Sequence, residues 1–342
     1  MKNFTRIYIL ALILSALSLP AQDIHFSMFY ACPLTLNPAL TGVNEGTYRA
    51  AAIYRNQWSS ISTPYQTFGA SFDIKILQNL LKNDIFGVGA QLVTDKSGDG
   101  KLSTTNAILS AAFHKGLDKN HKHFIGLGIQ GAYTQMSLNW QGLSFPTQLA
   151  QGVTNFDPST SSENISKSSF GYFDLHAGIL EQSTIKDVVG FMTGFSVFHI
   201  VSPKQSFLGQ NAKLASRFVV SEGIHIKVTK QFYISPNFIY QYQNKAQEAN
   251  FGAAFEYHVQ TAQSEFVASL GGWYRATAKD AAIISAGLEY YKFRAMFAYD
   301  INTSKLNAAT SGRGGFEIAI IYTGIIKTKT LNYPVLVPCP MM

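Results

Sequence analysis

Few residues in this chain are spaced for chemistry. Gly126, Gly128 and Gly131 match the GxGxxG spacing that cradles a pyrophosphate. Such a site needs its motif between a strand and a helix. Here Ile125, Leu127 and Ile129 alternate with the glycines, so these read as small residues within a strand. Asp95, Asp99 and Gly100 open like a calcium loop, but the twelfth position is Asn106 rather than Glu and no helix pattern flanks it. A turn rich in Asp and Gly explains that stretch better. His114, His121 and His123 cluster among Lys115, Lys119 and Lys122. No cysteine or carboxylate pair beside them completes a metal set, and a solvated basic turn is expected. His176, His199, His225 and His258 have no evident serine partner, and P-loop, HExxH and GxSxG motifs are absent. The chain reads as a non-enzyme that needs no cofactor.

A second set of ionic residues sits inside apolar stretches: Arg49, Arg55, Asp174, Glu256, Arg275, Glu289, Arg294, Asp300 and Glu317. The elements that carry them alternate with period two. Phe251, Ala253, Phe255, Tyr257 and Val259 fall on one face, with Glu256 and His258 on the other. Phe293, Ala295, Phe297, Tyr299 and Ile301 oppose Arg294 and Asp300 in the same way, and Phe316, Ile318, Ile320 and Tyr322 oppose Glu317. Strict alternation marks half-buried strands. Soluble sandwich strands average ~5–6 residues. These run about 9–13, the length of a tilted strand crossing a bilayer. Backbone groups in lipid must be satisfied without water, so such strands close on themselves.

The expected fold is therefore all-β: a transmembrane antiparallel β-barrel of about fourteen strands. The candidate strands are 47–58, 65–74, 85–95, 102–114, 122–139, 169–182, 188–200, 214–228, 232–243, 248–259, 264–276, 281–290, 293–302 and 314–324. An even number puts both termini in the periplasm, with short turns there and long loops, such as 141–168, 201–213 and 303–313, outside the cell. Residues 75–84 break the rule with a longer connection that reads as a helical turn. The ionic residues then face the lumen, because a basic side chain at mid-depth on the lipid face costs ~2–4 kcal/mol. They could form a structural ion network, line a conduit, or receive an inserted segment.

Composition agrees. Charged residues make up 14% of the chain against about 25% in ordinary soluble domains, and aromatic residues 13%. That mix excludes a disordered chain or a coiled coil. Two cysteines exclude a disulfide-dense scaffold. The net charge of +7 comes from a shortage of acids, not an abundance of bases, and does not point to nucleic acid.

Residues 1–21 have the n-region, apolar h-region and small-residue end of a cleaved signal peptide, with Ala21 last. Residues 22–46 carry Pro33, Pro38 and Gly42 and are too irregular for lipid. They are expected to fold into or beneath the lumen as a plug, with Asn37 capping a turn before Pro38. Residues 47–324 form the barrel and 325–342 a periplasmic tail. Lysines, including Lys75, Lys115, Lys119 and Lys122, favour the periplasmic side and suggest a basic rim for anionic lipid or an acidic partner. Cys32 and Cys339 both fall outside the strands on the predicted periplasmic side, an oxidising compartment where a disulfide between them is feasible.

The stretch 26–42, with Asn37, Pro38 and Gly42 in an LNPAxxG pattern, resembles the opening of the PorP/SprF family of type IX secretion outer-membrane proteins of Bacteroidota. Tyr54, Arg55, Asn56, Gln57 and Trp58 resemble its RNQW motif at the end of the first strand. Val93–Gly98, Phe297–Leu306, Gly314–Ile318 and Cys339-Pro340 resemble its third-strand turn, closing hairpin and ending. The resemblance implies outer-membrane localisation and a role in protein secretion and cell-surface anchoring, in some members linked to gliding motility. It implies as partner a secreted surface protein with a type IX sorting C-terminal domain. Other secretion-system proteins and outer-membrane lipid or lipopolysaccharide are further implied partners. A core-apparatus barrel and a passive outer-membrane channel are the alternatives.

Overall fold

A computed structural model describes residues 23–326 apart from 62, 79, 82, 121, 141–142, 144–167, 208, 210–211, 261–264, 277–279 and 306. The expected signal-peptide segment and most of the expected tail, including Cys339, lie outside the described residues.

Period-two alternation becomes a closed barrel of fourteen antiparallel strands, each paired with its sequence neighbours, with the first and last closing the ring. The strands are β1 Tyr48–Gln57, β2 Tyr65–Ile76, β3 Ile85–Ser97, β4 Leu102–Gly116, β5 His123–Ser137, β6 Ser169–Ile185, β7 Val189–Phe198, β8 Arg217–Lys227, β9 Phe232–Gln243, β10 Ala246–Gln260, β11 Glu265–Arg275, β12 Ala281–Tyr290, β13 Phe293–Asn302 and β14 Arg313–Gly324. Closure runs from Tyr48 opposite Gly324 to Gln57 opposite Gly315. Closing the ring pairs the first strand with the last, so neither is left as an open edge in an apolar solvent. Outward side chains such as Leu109, Leu127, Ile129, Phe173 and Leu270 are 62–77% exposed. An apolar belt of that extent belongs in lipid. No described helix is long and apolar enough to cross a membrane; one short helix, α1 Asn307–Thr310, lies in the last loop.

The wall is uneven. Strands β4 and β5 have 15 residues and β6 has 17, whereas β7, β12 and β13 have 10 each. At ~3.3 Å per residue and ~40° tilt, the long strands stand roughly 40 Å tall and the short ones about 25 Å, the height of the apolar band. The extra height lies at the end carrying the long loops, the outer end by loop asymmetry. There β6 runs past β7: its pairing with β7 stops at Ala177–Val197, while its pairing with β5 continues to Ser169. The chain after β7 covers this edge partly, with Ile200 N bonded to Leu175 O at 3.1 Å and the Phe207 ring on Phe170. Among the described residues of 75–84, Leu81 N donates to Leu77 O at 3.0 Å, a single helical turn.

The core is in the lumen. Met28, Leu34, Ala39, Leu40 and Val43 are wholly buried, and all but Leu34 share one apolar cluster with inward residues such as Ile53, Trp273 and Ile283. The N-terminal stretch folds as three single turns of 3₁₀ helix, Phe29–Ala31, Pro33–Thr35 and Pro38–Leu40. Two begin on proline, whose fixed φ suits a first helical position. Asn37 caps the last by accepting Ala39 N at 2.8 Å. These turns satisfy much of the backbone locally, which lets an irregular segment occupy a closed space.

Candidate functional site

The lumen is filled by residues 23–46, which descend from the outer end at Asp23 to the start of β1. Three levels of wall side chains grip them. At the outer level, Glu317 accepts Ser27 N at 2.6 Å and Met28 N at 2.7 Å. Arg55 is paired with Glu317 and lies 3.0 Å from Asp300, while Arg275 lies 3.3 Å from Asp300. Ser27 Oγ accepts from both arginines and donates to Asp300 at 2.8 Å. All four ionic side chains are buried.

At mid-level, Asn37 Nδ2 donates to Ile179 O at 2.9 Å and Gln130 Nε2 to Leu34 O at 3.0 Å. A Cβ on Gly128 would sit 2.3 Å from Ala39 N, and one on Gly178 2.0 Å from Asn37 Oδ1. The GxGxxG spacing therefore has a packing reason: Gly126 and Gly128 clear room for His114 and for the inserted segment, while Gly131 faces outward with open space.

At the lower level, Arg49 Nε pairs with Asp73 at 2.8 Å, and its terminal nitrogens donate to Val43 O at 3.0 Å and Leu40 O at 3.2 Å. Asp73 accepts Gly42 N at 2.9 Å, Lys75 donates to Asn44 O at 2.6 Å, and His114 Nε2 meets Thr41 O at 3.1 Å. Gly42 has φ +79° with Gly87 Cα 2.9 Å from where a Cβ would stand. Both the left-handed backbone and the close approach require glycine.

Several expectations change place. Lys75 and His114 belong to the lumen grip, not to a solvated basic rim. His123 Nδ1 contacts Ser183 Oγ at 2.9 Å, and His121 lies outside the described residues. Cys32 is not at the periplasmic side but buried within the barrel, where Gln91 Nε2 donates to its sulfur at 2.9 Å. Its proposed partner, Cys339, falls outside the described residues. Of the rim lysines, Lys115 pairs with Asp84 at 2.9 Å and Lys122 with Asp187 at 2.8 Å, both near the surface, and Lys119 is exposed. Asp95 and Asp99 accept from Thr67 and Thr63 beside the Gly98–Lys101 turn.

The lumen ions fall into separate groups. Arg294 holds Glu289, its Nε 2.6 Å away, and Glu256 lies 3.0 Å from His258. In the RNQW motif only Arg55 and Gln57 point toward the cluster, with Arg55 Nε 3.4 Å from Gln57 Oε1. Asn56 meets Tyr54 OH, and the Trp58 ring packs edge-on against Tyr65 at a left-handed bend.

Sequence reading named Asp174 as inward but missed its company. Asp174 Oδ2 contacts His199 Nδ1 and lies 3.6 Å from His176 Nε2; His199 Nε2 lies 2.5 Å from Asp23 Oδ2, itself 3.3 Å from Arg217 Nε. Burial opposes the charged His199 ring, but the two carboxylates outweigh it and lift its pKa to about 9. Burial likewise opposes the Asp23 carboxylate, yet Arg217 and His199 hold it well below the usual range. The inward phase of β6 was the available signal for His176. His199 lies just beyond β7, where alternation has ended.

On the lipid side of β2–β6 lies an apolar concavity of about 1010 Å³, where Ala70, Ala90, Ala107 and Gly131 leave room between Phe72, Leu109 and Phe173. It reaches Leu175 and Val201 beside the notch between β6 and β7.

Solved barrels share the architecture. The Ralstonia pickettii toluene transporter TbuX has a TM-score of 0.52 at 12% identity, covering 91% of this chain and 96% of that one. The P. putida toluene transporter TodX has a TM-score of 0.50 at 11% identity, covering 85% and 93%. At that identity the likeness is one of fold. No curated protein matches the sequence. The model of the type IX secretion system membrane protein PorP/SprF, however, matches residues 18–322, through both the gripped segment and the strands that grip it. This outer-membrane barrel therefore belongs to the PorP/SprF family of the type IX secretion system.

Proposed function

We propose that this chain is a closed outer-membrane platform that helps export a secreted surface protein and holds it by binding its C-terminal domain. One observation carries the reading: the lumen is occupied by residues 23–46, gripped at three levels by buried ionic and amide side chains. A barrel built around such a segment works through its surfaces. The loops 141–168 and 201–213, expected outside the cell from the sequence, are the docking candidates, and the family's place in secretion supports a protein cargo. The plug role has its own test. Deleting 24–39 is expected to raise conductance in planar bilayers, and no gain counts against it.

Affinity recovery of tagged protein from native outer membranes after mild crosslinking tests the platform reading. Recovery of one large secreted protein through its C-terminal domain supports it. Recovery dominated by periplasmic and inner-membrane machinery instead supports a core-apparatus role, with the Lys115, Lys119 and Lys122 rim as its contact.

A second reading is a channel for apolar solutes. The apolar concavity beside the β6–β7 notch favours it, as does the likeness to toluene transporters. Toluene entry into vesicles carrying the intact protein, above that of empty vesicles, decides for it.

A further inference from the structure

We propose that Asp174, His176 and His199 form a site for a divalent transition metal, zinc by its donor set, at the outer rim of the lumen. Asp174 Oδ2, His176 Nε2 and His199 Nδ1 all lie within 4.8 Å of one another, and all three residues are buried.

The hydrogen bonds fix which nitrogens are free. Gln130 Nε2 donates to Leu34 O at 3.0 Å, so its Oε1 is the atom turned to His176 Nδ1, 3.2 Å away. An amide oxygen only accepts, so Nδ1 carries a proton, and in the neutral ring that burial favours Nε2 carries the lone pair. That Nε2 is buried with no hydrogen-bond partner and faces the Asp174 carboxylate at 3.6 Å. A lone pair turned on a carboxylate oxygen in a buried place calls for a cation between them. His199 differs in being held at both nitrogens, and metal binding there displaces the proton it shares with Asp174. Its Nε2–H donates to Asp23 at 2.5 Å, and its Nδ1 turns to the same Asp174 oxygen. Asp174 Oδ1 is taken by Leu175 N at 2.8 Å, which leaves Oδ2 for the ion.

Each ligand imidazole thus has its other nitrogen held by an amide or a carboxylate, the arrangement that orients histidines around a metal. Two imidazoles and one carboxylate suit zinc; calcium and magnesium prefer all-oxygen sets. Three protein ligands leave a fourth position open. Because Asp23 supports His199, the ion also ties the start of the inserted segment to the β6–β7 edge. A second lumen group provides an internal contrast. His225 bonds Ser235 and His258 bonds Glu256, and among the described residues they form no group of three converging ligand atoms.

The test uses the full-length protein, folded in detergent as judged by heat-modifiable migration, dialysed against zinc and analysed for bound metal. About one zinc per chain is expected in the wild type and in His225→Gln. His176→Gln should lose at least tenfold in zinc affinity, and Gln130→Met, outside the ligand set, roughly 10–100-fold. Cobalt in place of zinc should give a tetrahedral-type spectrum in the wild type, a readout that needs no variant to fold. A wild type that takes up no zinc and leaves cobalt with its aqueous spectrum overturns the proposal. So does zinc uptake unchanged in His176→Gln.

Discussion

The inserted segment is held differently at its two ends. At the outer level Arg55, Arg275, Asp300 and Glu317 pair among themselves, two cations with two anions, and the segment adds Ser27 and two backbone N–H groups to a cluster already balanced. At the lower level the wall depends on the segment. Arg49 spends two donors on Val43 O and Leu40 O, Asp73 takes Gly42 N, and Lys75 donates its ammonium proton to Asn44 O. Buried groups that lose partners cost far more than groups that keep them. At the Ser27 level the segment can therefore let go while the wall charges stay paired; at the lower level it cannot, and further out Asp23 is itself paired to His199 and Arg217. The structure has the form of a stopper hinged at the periplasmic end, where the segment also continues into β1.

Arg49→Ala should have the largest effect. It takes the guanidinium from the buried Asp73 carboxylate, which keeps only amide donors, and from two segment carbonyls, and breaking a buried pair of this kind costs about 3–5 kcal/mol. Thermal unfolding, followed by loss of heat-modifiable migration, should fall sharply. A melting temperature close to wild type would remove the asymmetry, because the lower grip would then be as dispensable as the upper.

Glu317→Gln sharpens the same contrast with a smaller cost. It keeps the shape, the amide oxygen still accepts one of Ser27 N and Met28 N, and Arg55 keeps Asp300; the charge-assisted bond lost is worth about 1.5–3 kcal/mol. The barrel should stay folded while the segment loosens from the top. Cys32 reports this. Its thiol is buried within the barrel, so maleimide labelling is slow while the segment stays seated. In a Cys339→Ala background, Glu317→Gln should raise the labelling rate several-fold, and Arg49→Lys, which keeps the lower charge, should raise it less. Equal rates in the two would show that the ends are not independent.

Asn37→Ala acts between the ends. It loses the cap on Ala39 N and the bond to Ile179 O, for about 1–2 kcal/mol. Labelling of Cys32 should rise modestly with little change in melting; a loss as large as that of Arg49→Ala would move the hinge up to mid-barrel.

The contrast also explains what could be read from sequence. Strands were legible because lipid on one face and a packed lumen on the other enforce strict alternation; 281–290 and 293–302 match β12 and β13 residue for residue. Arg55, Asp300 and Glu317 were legible as inward by phase. Their joint hold on Ser27 was not, because it joins residues more than 240 positions apart that only closure of the barrel unites. Lys75 and His114 were misplaced for a related reason. Near a strand end, a cation pointing inward and one pointing to solvent have the same sequence pattern, and only the carbonyls of Asn44 and Thr41 distinguish them.

The smallest structural effect belongs to the periplasmic surface, which touches neither end of the segment. Lys122 pairs with Asp187 at the surface, and such exposed pairs contribute about 0–1 kcal/mol. Lys119→Glu with Lys122→Glu should therefore leave melting and Cys32 labelling at wild-type values. If this rim meets an acidic partner or anionic lipid heads, the double reversal should still lower crosslinked recovery of that partner, most clearly at low salt where screening is weak. Recovery unchanged at every salt concentration would reduce the rim to a solvated turn. A rise in Cys32 labelling would instead mean that the stopper is coupled to the periplasmic face through the turn after β4, the strand whose His114 already touches the segment at Thr41.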